Sequence, residues 1–138
     1  MIRLRVRPSW IAVVALAATL GGCATARGPA GPRSAAPPGT VETGQASWYG
    51  ERHQGLRTAS GERYDMHRLT AAHPALPLGT KVLVTNLQNG RSVQVRVNDR
   101  GPTVAGRIID LSYAAAQRLG AIAAGTIPVS VRVVSTSP

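Results

Sequence analysis

"KVLVTNLQNGRSVQVRVNDRGP", residues Lys81 to Pro102, decides how the rest of the chain is read. Lys81–Asn86 and Ser92–Val97 both alternate apolar with polar side chains, the period of a strand with one buried face. Between them, Asn89-Gly90 is the strongest short hairpin signal, because both residues tolerate positive φ. The second strand then runs into Asn98, Asp99, Arg100, Gly101 and Pro102. An acid beside a base, held on a rigid Gly-Pro turn, is an unusual end for a half-buried strand and marks Asp99 for attention.

Outward from this hairpin, Ile127–Val134 alternates again, with Pro128 near the start, where a missing N–H does least harm. Gln45–Tyr49, Leu69–Ala72 and Arg107–Leu111 add shorter strands. One helix is expected over Tyr113–Leu119, with Ser112 as N-cap and Gly120 as a left-handed C-cap. Several short strands, turns and a single helix predict an all-β barrel. The sequence has no phenylalanine, so Val, Ile and Leu must fill its core.

The N-terminal residues have a different character. Arg3, Arg5 and Arg7 form a positive n-region, and Trp10–Leu20 is apolar but too short to span a bilayer, so residues 1–22 read as a secretory signal. Leu20-Gly21-Gly22-Cys23 is similar to the lipobox of bacterial lipoproteins, in which the cysteine takes lipid and becomes the new N-terminus. Cys23 is the only cysteine, so it has no disulfide partner in this chain. The plainer alternative is an ordinary free thiol. Lipidation would place the exported protein on a membrane in the cell envelope. Ala24, where Asp would signal otherwise, resembles cargo of the outer membrane facing the periplasm. Residues 23–44, rich in Pro, Gly and Ala, are expected to form a flexible spacer. Residues 45–134 then form one small domain, and 135–138 a frayed end.

The formal charge is +10, with sixteen basic residues of which only Lys81 is a lysine. Basic proteins often bind nucleic acid, but export argues against that partner and for anionic envelope polymers; a solvated basic surface with no specific partner is the plainer alternative. His53, His67 and His73 fit no common zinc spacing, so no metal is expected, and no G-x-S-x-G elbow appears, which argues against a Ser/His/Asp hydrolase; no cofactor is expected.

The motifs GQASWYG (44–50), TASGERYD (58–65), LTAAHP (69–74), the opening stretch and RIIDLSYAAAQRLG (107–120) together resemble the rare lipoprotein A family. The resemblance runs from Gly44 to about Val134. It implies a six-stranded double-psi β-barrel and an endolytic murein transglycosylase, a lyase that cleaves MurNAc–GlcNAc links of peptidoglycan glycan strands, preferably those stripped of stem peptides. Such a reaction closes the MurNAc C6 hydroxyl onto C1 and leaves a 1,6-anhydroMurNAc end. A proton must reach the leaving oxygen and another must then leave O6. One carboxyl group can do both if its pKa is raised enough to be protonated part of the time.

Asp99 matches that acid/base; its alternative is a turn-forming acid paired with a neighbouring arginine. Glu62 matches a functional glutamate, able to raise the pKa of Asp99 or to stabilise an oxocarbenium ion, unless it is a solvated loop residue. His73 matches a functional histidine that orients a carboxylate or binds sugar hydroxyls; alone, it reads as a structural histidine before a proline. Trp48, Tyr49 and Tyr64 offer rings for sugar stacking, and Arg100 a polar contact to substrate. Core packing is the alternative for each of the three, most of all for one of the Trp48-Tyr49 pair, since strand neighbours face opposite ways. Asp110, beside the helix start, reads as structural, and Asp65 has no assigned role.

Two positions depart from the family pattern: His53 and Thr103 stand where phenylalanine is common. Many relatives also carry a C-terminal SPOR module, whereas this sequence stops after the barrel, so septal targeting does not follow from the resemblance. Two other functions compete with the enzyme. One is a non-catalytic, expansin-like peptidoglycan binder, and the other is a structural lipoprotein that recruits envelope proteins.

Overall fold

A computed structural model describes residues 35–136. The expected signal peptide and Cys23 lie outside these residues. Within them, strands β1 (Val41–Tyr49), β2 (Thr70–Ala72), β3 (Lys81–Asn86), β4 (Ser92–Asp99), β5 (Arg107–Ser112) and β6 (Ile127–Ser135) close into one barrel. The order around it is β1-β5-β2-β4-β3-β6. Two pairings are parallel, β1 with β5 and β2 with β4; the others are antiparallel. Closure leaves no free sheet edge, which removes the usual route to strand-on-strand aggregation.

Alternation builds the core as the sequence predicts. Val82, Val84, Val93, Val95, Val97, Ile109, Ile127, Val129, Val131 and Val133 are all at most 5 % exposed and fill the barrel, with Trp48 of β1 packed partly buried against them. Each such side chain contributes about 1.5–3 kcal/mol on burial, and β-branching suits the pleated surface. The helix α1 (Tyr113–Arg118) packs Ala115 and Ala116 inward, and Leu119 behind it is fully buried. Ser112 caps its start by accepting from the Ala115 amide at 3.3 Å. Asn86 and Asn89 both donate to the Leu119 carbonyl at 2.9 Å, so the β3–β4 turn caps the helix end.

Two local expectations are corrected. In the β3–β4 hairpin, Gly90 takes positive φ, but among the described residues no non-glycine residue does, so Asn89 does not share a mirror-image turn with it. Five residues separate the strands; the Gly90 amide donates back to Asn86 at 2.8 Å, and Asn89 turns its side chain to the Arg91 amide and to the helix. The second correction concerns β1, which begins at Val41, inside the stretch expected to be spacer. Composition there is poor for a strand, but Val41–Ala46 pair antiparallel with Ile127–Arg132, and the ladder supplies what propensity does not. Gly44 makes this possible. A Cβ at that position would lie 2.6 Å from Ile108 Cγ2.

Between β1 and β2 the chain forms a 3-10 turn, Glu51–His53, and then a short arm that folds back across β4. The arm is a two-stranded curl: Tyr64 N–H donates to the Leu56 carbonyl, Gly55 N–H to the Tyr64 carbonyl, and Arg57 bridges Arg63. Its tip is tied down by the Ser60 amide on the Asn98 carbonyl at 3.0 Å. The arm is what turns one side of the barrel into a groove.

Candidate active site

The groove has a volume of ≈ 370 Å³. Its floor follows from strand register. Ser47 of β1 stands level with Asp110 of β5, Asp110 with Ala72 of β2, and Ala72 with Asp99 of β4. A single row across four strands thus carries two carboxylates separated by one methyl group. Two interstrand spacings put their Cα atoms roughly 10 Å apart.

A bulge aims Asp99. Ala71 pairs with Val97 and Ala72 with Asp99, which leaves Asn98 as the extra residue of β4. Bulges re-aim side chains in this way. Asn98 turns under the arm and is buried, while Asp99 enters the groove. Asp99 Oδ1 accepts from the Ala59 amide at 3.0 Å and from the Arg100 amide at 2.8 Å. Oδ2 has no hydrogen-bond partner among the described residues. One oxygen is fixed by backbone and the other is free for a ligand.

The walls are aromatic and basic. Trp48 and Tyr49 both line the groove although they are neighbours on β1, because the strand ends there and the chain turns. Tyr49 packs against Tyr64 at 4.5 Å between ring centroids and against His53 at 5.4 Å. At the position where the family commonly has phenylalanine, His53 therefore still offers a ring to the groove. The Tyr49 hydroxyl is buried without a partner among the described residues; desolvation, then Tyr64, Asp99 and Asp110, push its pKa far up, so it stays protonated. Tyr64 lines the groove from its floor. It is only 2 % exposed, donates to the Tyr49 carbonyl at 2.6 Å and accepts from the Tyr113 amide.

Arg100 also lines the groove, but its Nη1 donates to the carbonyls of His73 (3.1 Å) and Leu76 (2.7 Å), so it clasps the β2–β3 loop. Glu62 lies outside the groove lining. Its carboxylate is gripped by Arg96 through both oxygens (2.8 and 3.2 Å) and by Asn98 at 2.8 Å. The Arg96 hydrogen bonds hold its pKa below the usual carboxylate value, with Asn98 adding to the effect. His73 is brought near Asp99 only by backbone, its amide donating to the Asp99 carbonyl at 3.1 Å. Its ring is buried behind the strand. Nδ1 accepts from the Ala75 and Leu76 amides, which makes Nε2 the protonated nitrogen, and Nε2 donates to Glu42 at 3.2 Å. Burial lowers its pKa, against the opposing pull of Glu42. Asp65 accepts from the His67 amide and stabilises its own turn.

Asp110, which reads from the sequence as a structural acid beside the helix start, takes a further place in the structure. Asp110 lines the groove, accepts from Ser47 Oγ at 2.5 Å and is paired with Arg107. The only signal for it in the sequence is strand parity, and that is useless until the partner strands are known.

Comparisons with known proteins agree with this architecture. A family profile described as "Lytic transglycolase" matches residues 41–131. The "Endolytic peptidoglycan transglycosylase RlpA" of Vibrio cholerae is 54 % identical over 99 residues, covering 72 % of this chain and 38 % of that protein. Among solved structures, the Streptomyces papain inhibitor superposes with a TM-score of 0.60 at 27 % identity, covering 72 % of this chain and 98 % of the other. A Clavibacter michiganensis expansin does so with 0.57 at 27 %, covering 72 % and 52 %. The chain spans roughly two fifths of the length of the curated relative it matches. It is a member of the lytic transglycolase family, built on the closed double-psi β-barrel.

Proposed function

We propose that this protein is an endolytic peptidoglycan transglycosylase, with Asp99 as the group that gives and then takes the proton. The supporting observation is the setting of that carboxylate: one oxygen is held by two backbone amides, the other has no partner among the described residues, and the residue lines a groove walled by Trp48 and Tyr49. The relatives named for this activity support the same reading.

In the first step Asp99 Oδ2 donates its proton to the glycosidic oxygen between MurNAc and GlcNAc as the C1–O bond breaks. Positive charge develops at C1 and the ring oxygen. The Asp99 carboxylate, now ionised, faces that charge and accepts the proton of the C6 hydroxyl as O6 bonds to C1. The products are a 1,6-anhydroMurNAc end and a free GlcNAc hydroxyl, with Asp99 protonated again and no water consumed. Rings on Trp48, Tyr49 and His53 stack on the sugars, and the Asp110–Arg107–Ser47 cluster offers hydrogen bonds to sugar hydroxyls from the far wall. Glu62 and His73 act as positioning residues. Glu62 fastens the arm whose Ala59 amide holds Asp99, and His73 orders the loop clasped by Arg100.

The envelope location belongs to the same proposal. The signal-like residues 1–22 and Cys23 support export and lipid attachment, and metabolic labelling with palmitate, lost in Cys23→Ser, tests the anchor. An expansin-like binder is the second reading, favoured by the structural likeness to an expansin. One experiment separates the two. The whole chain is incubated with amidase-treated sacculi and the released sugars are analysed by mass spectrometry. Anhydro ends support the enzyme, reducing ends indicate hydrolysis, and retention on sacculi without release supports the binder.

A further inference from the structure

Three guanidinium groups line the groove, from Arg57, Arg100 and Arg107. Two are committed. Arg100 clasps backbone carbonyls of the β2–β3 loop, and Arg107 is paired with Asp110. Arg57 is different: it is exposed, has no carboxylate partner among the described residues, and donates only Nη1, to the Gly61 carbonyl at 2.8 Å. A guanidinium has five N–H donors, so most of this one is unused. Its place in the chain fixes it close to the chemistry, two residues before the Ala59 amide that holds Asp99.

From this geometry we infer that Arg57 is a specificity residue that pairs with the lactyl carboxylate of MurNAc. The inference rests on the glycan reading proposed above. The backbone of peptidoglycan is otherwise uncharged. Each MurNAc carries a lactyl ether on C3, two ring carbons from the reacting C1. Where a stem peptide is attached, the lactyl carboxyl is an amide and bears no charge; where the peptide has been removed, it is a free carboxylate. A cation beside the acid/base therefore distinguishes the two strand types at the reacting sugar itself. Carboxylates further along a stem peptide do not substitute, since they are several bonds away and bring a bulky chain into the groove. Arg57 offers the planar fork that matches a carboxylate.

The test compares two ligands: peptide-free glycan strands with native lactyl carboxylates, and the same strands after carbodiimide coupling to methylamine. Binding is measured in the Asp99→Asn background, so that turnover does not consume the ligand. That parent is expected to bind the carboxylate strands about fivefold more tightly, the upper range for an exposed ion pair. Adding Arg57→Gln should bring the ratio to one, and adding Arg57→Lys should leave it between the two values. The inference is overturned if the parent does not discriminate, or if Arg57→Gln discriminates as well as the parent does. Should Arg57→Gln fail to fold, the parent's ratio and that of Arg57→Lys still decide, because loss of the fork alone must narrow the gap. Anhydro ends released by the protein with Asp99 intact are scored separately. Their absence from both strand types would contradict the transglycosylase reading while the binding ratio still judged Arg57.

Discussion

Asp99 stands level with Ala72 across the parallel pairing of β4 with β2, one residue beyond the place where uninterrupted alternation would put it. Asp110 stands level with the same alanine from β5. The groove floor between the carboxylates is thus a single methyl group, and Ala72 is 3 % exposed beneath it. Ala72→Leu should fill the groove from below without entering the barrel core. Glycan binding is expected to fall at least about tenfold, equivalent to about 1.4 kcal/mol. The thermal midpoint should shift little. Unchanged binding in a folded Ala72→Leu protein would remove this row from the substrate path.

Glu62 makes a different prediction from a proton donor. Its carboxylate is held ionised by Arg96 and Asn98. Glu62→Ala should loosen the arm and so the Ala59 contact to Asp99, lowering kcat more than it raises KM. The pair is partly exposed, so the stability loss should be only about 1 kcal/mol. Glu62→Gln, which keeps an acceptor for Arg96, should recover part of the rate. Equal rate losses in both variants would point to a direct chemical role for the charge.

Acid should destabilise the fold in two steps. His73 has a folded pKa below its ordinary 6.5, chiefly through burial. Between the two values the unfolded chain binds a proton that the native ring excludes. Stability is therefore full above pH 6.5 and declines as pH falls from there through the folded value. Protonation of Nδ1 would also break its contacts with the Ala75 and Leu76 amides. Glu62, with its pKa lowered from 4.5, contributes above 4.5 and loses that contribution as pH falls further. Urea midpoints measured from pH 8 down to about pH 2 should show both declines. In His73→Asn the first should disappear, since asparagine can accept from the same amides and does not titrate.

Gly44 offers a test of the barrel seam. Gly44→Ala places a methyl 2.6 Å from Ile108 Cγ2 and should cost about 1–3 kcal/mol by overpacking. The double variant Gly44→Ala/Ile108→Ala should recover part of that loss in denaturant unfolding.

The legible and illegible parts of the sequence differ in range. Alternation in Lys81–Asn86, Ser92–Val97 and Ile127–Val134, and the Ser112 cap, are local patterns, and each forms the element it predicts. The motif resemblance carries the barrel and marks Asp99, which enters the groove. What local pattern cannot carry is register. The bulge at Asn98 depends on how β2 meets β4, and Asp110 joins Asp99 only through β2. The link from His73 to Glu42 spans thirty-one residues, and Glu62 reaches Arg96 across thirty-four. The start of β1 is hidden for a related reason: Val41–Gly44 has little strand character and is held by β6 at the far end of the sequence.

The central claim concerns one carboxyl group, and Asp99→Asn tests it most directly. Asparagine can still accept from the Ala59 and Arg100 amides, so the variant should fold with a stability within about 1 kcal/mol of the parent. It should bind peptide-free glycan, yet release of 1,6-anhydroMurNAc ends should fall by a factor of at least about 10². Release at the parent rate from a folded Asp99→Asn protein would contradict the account.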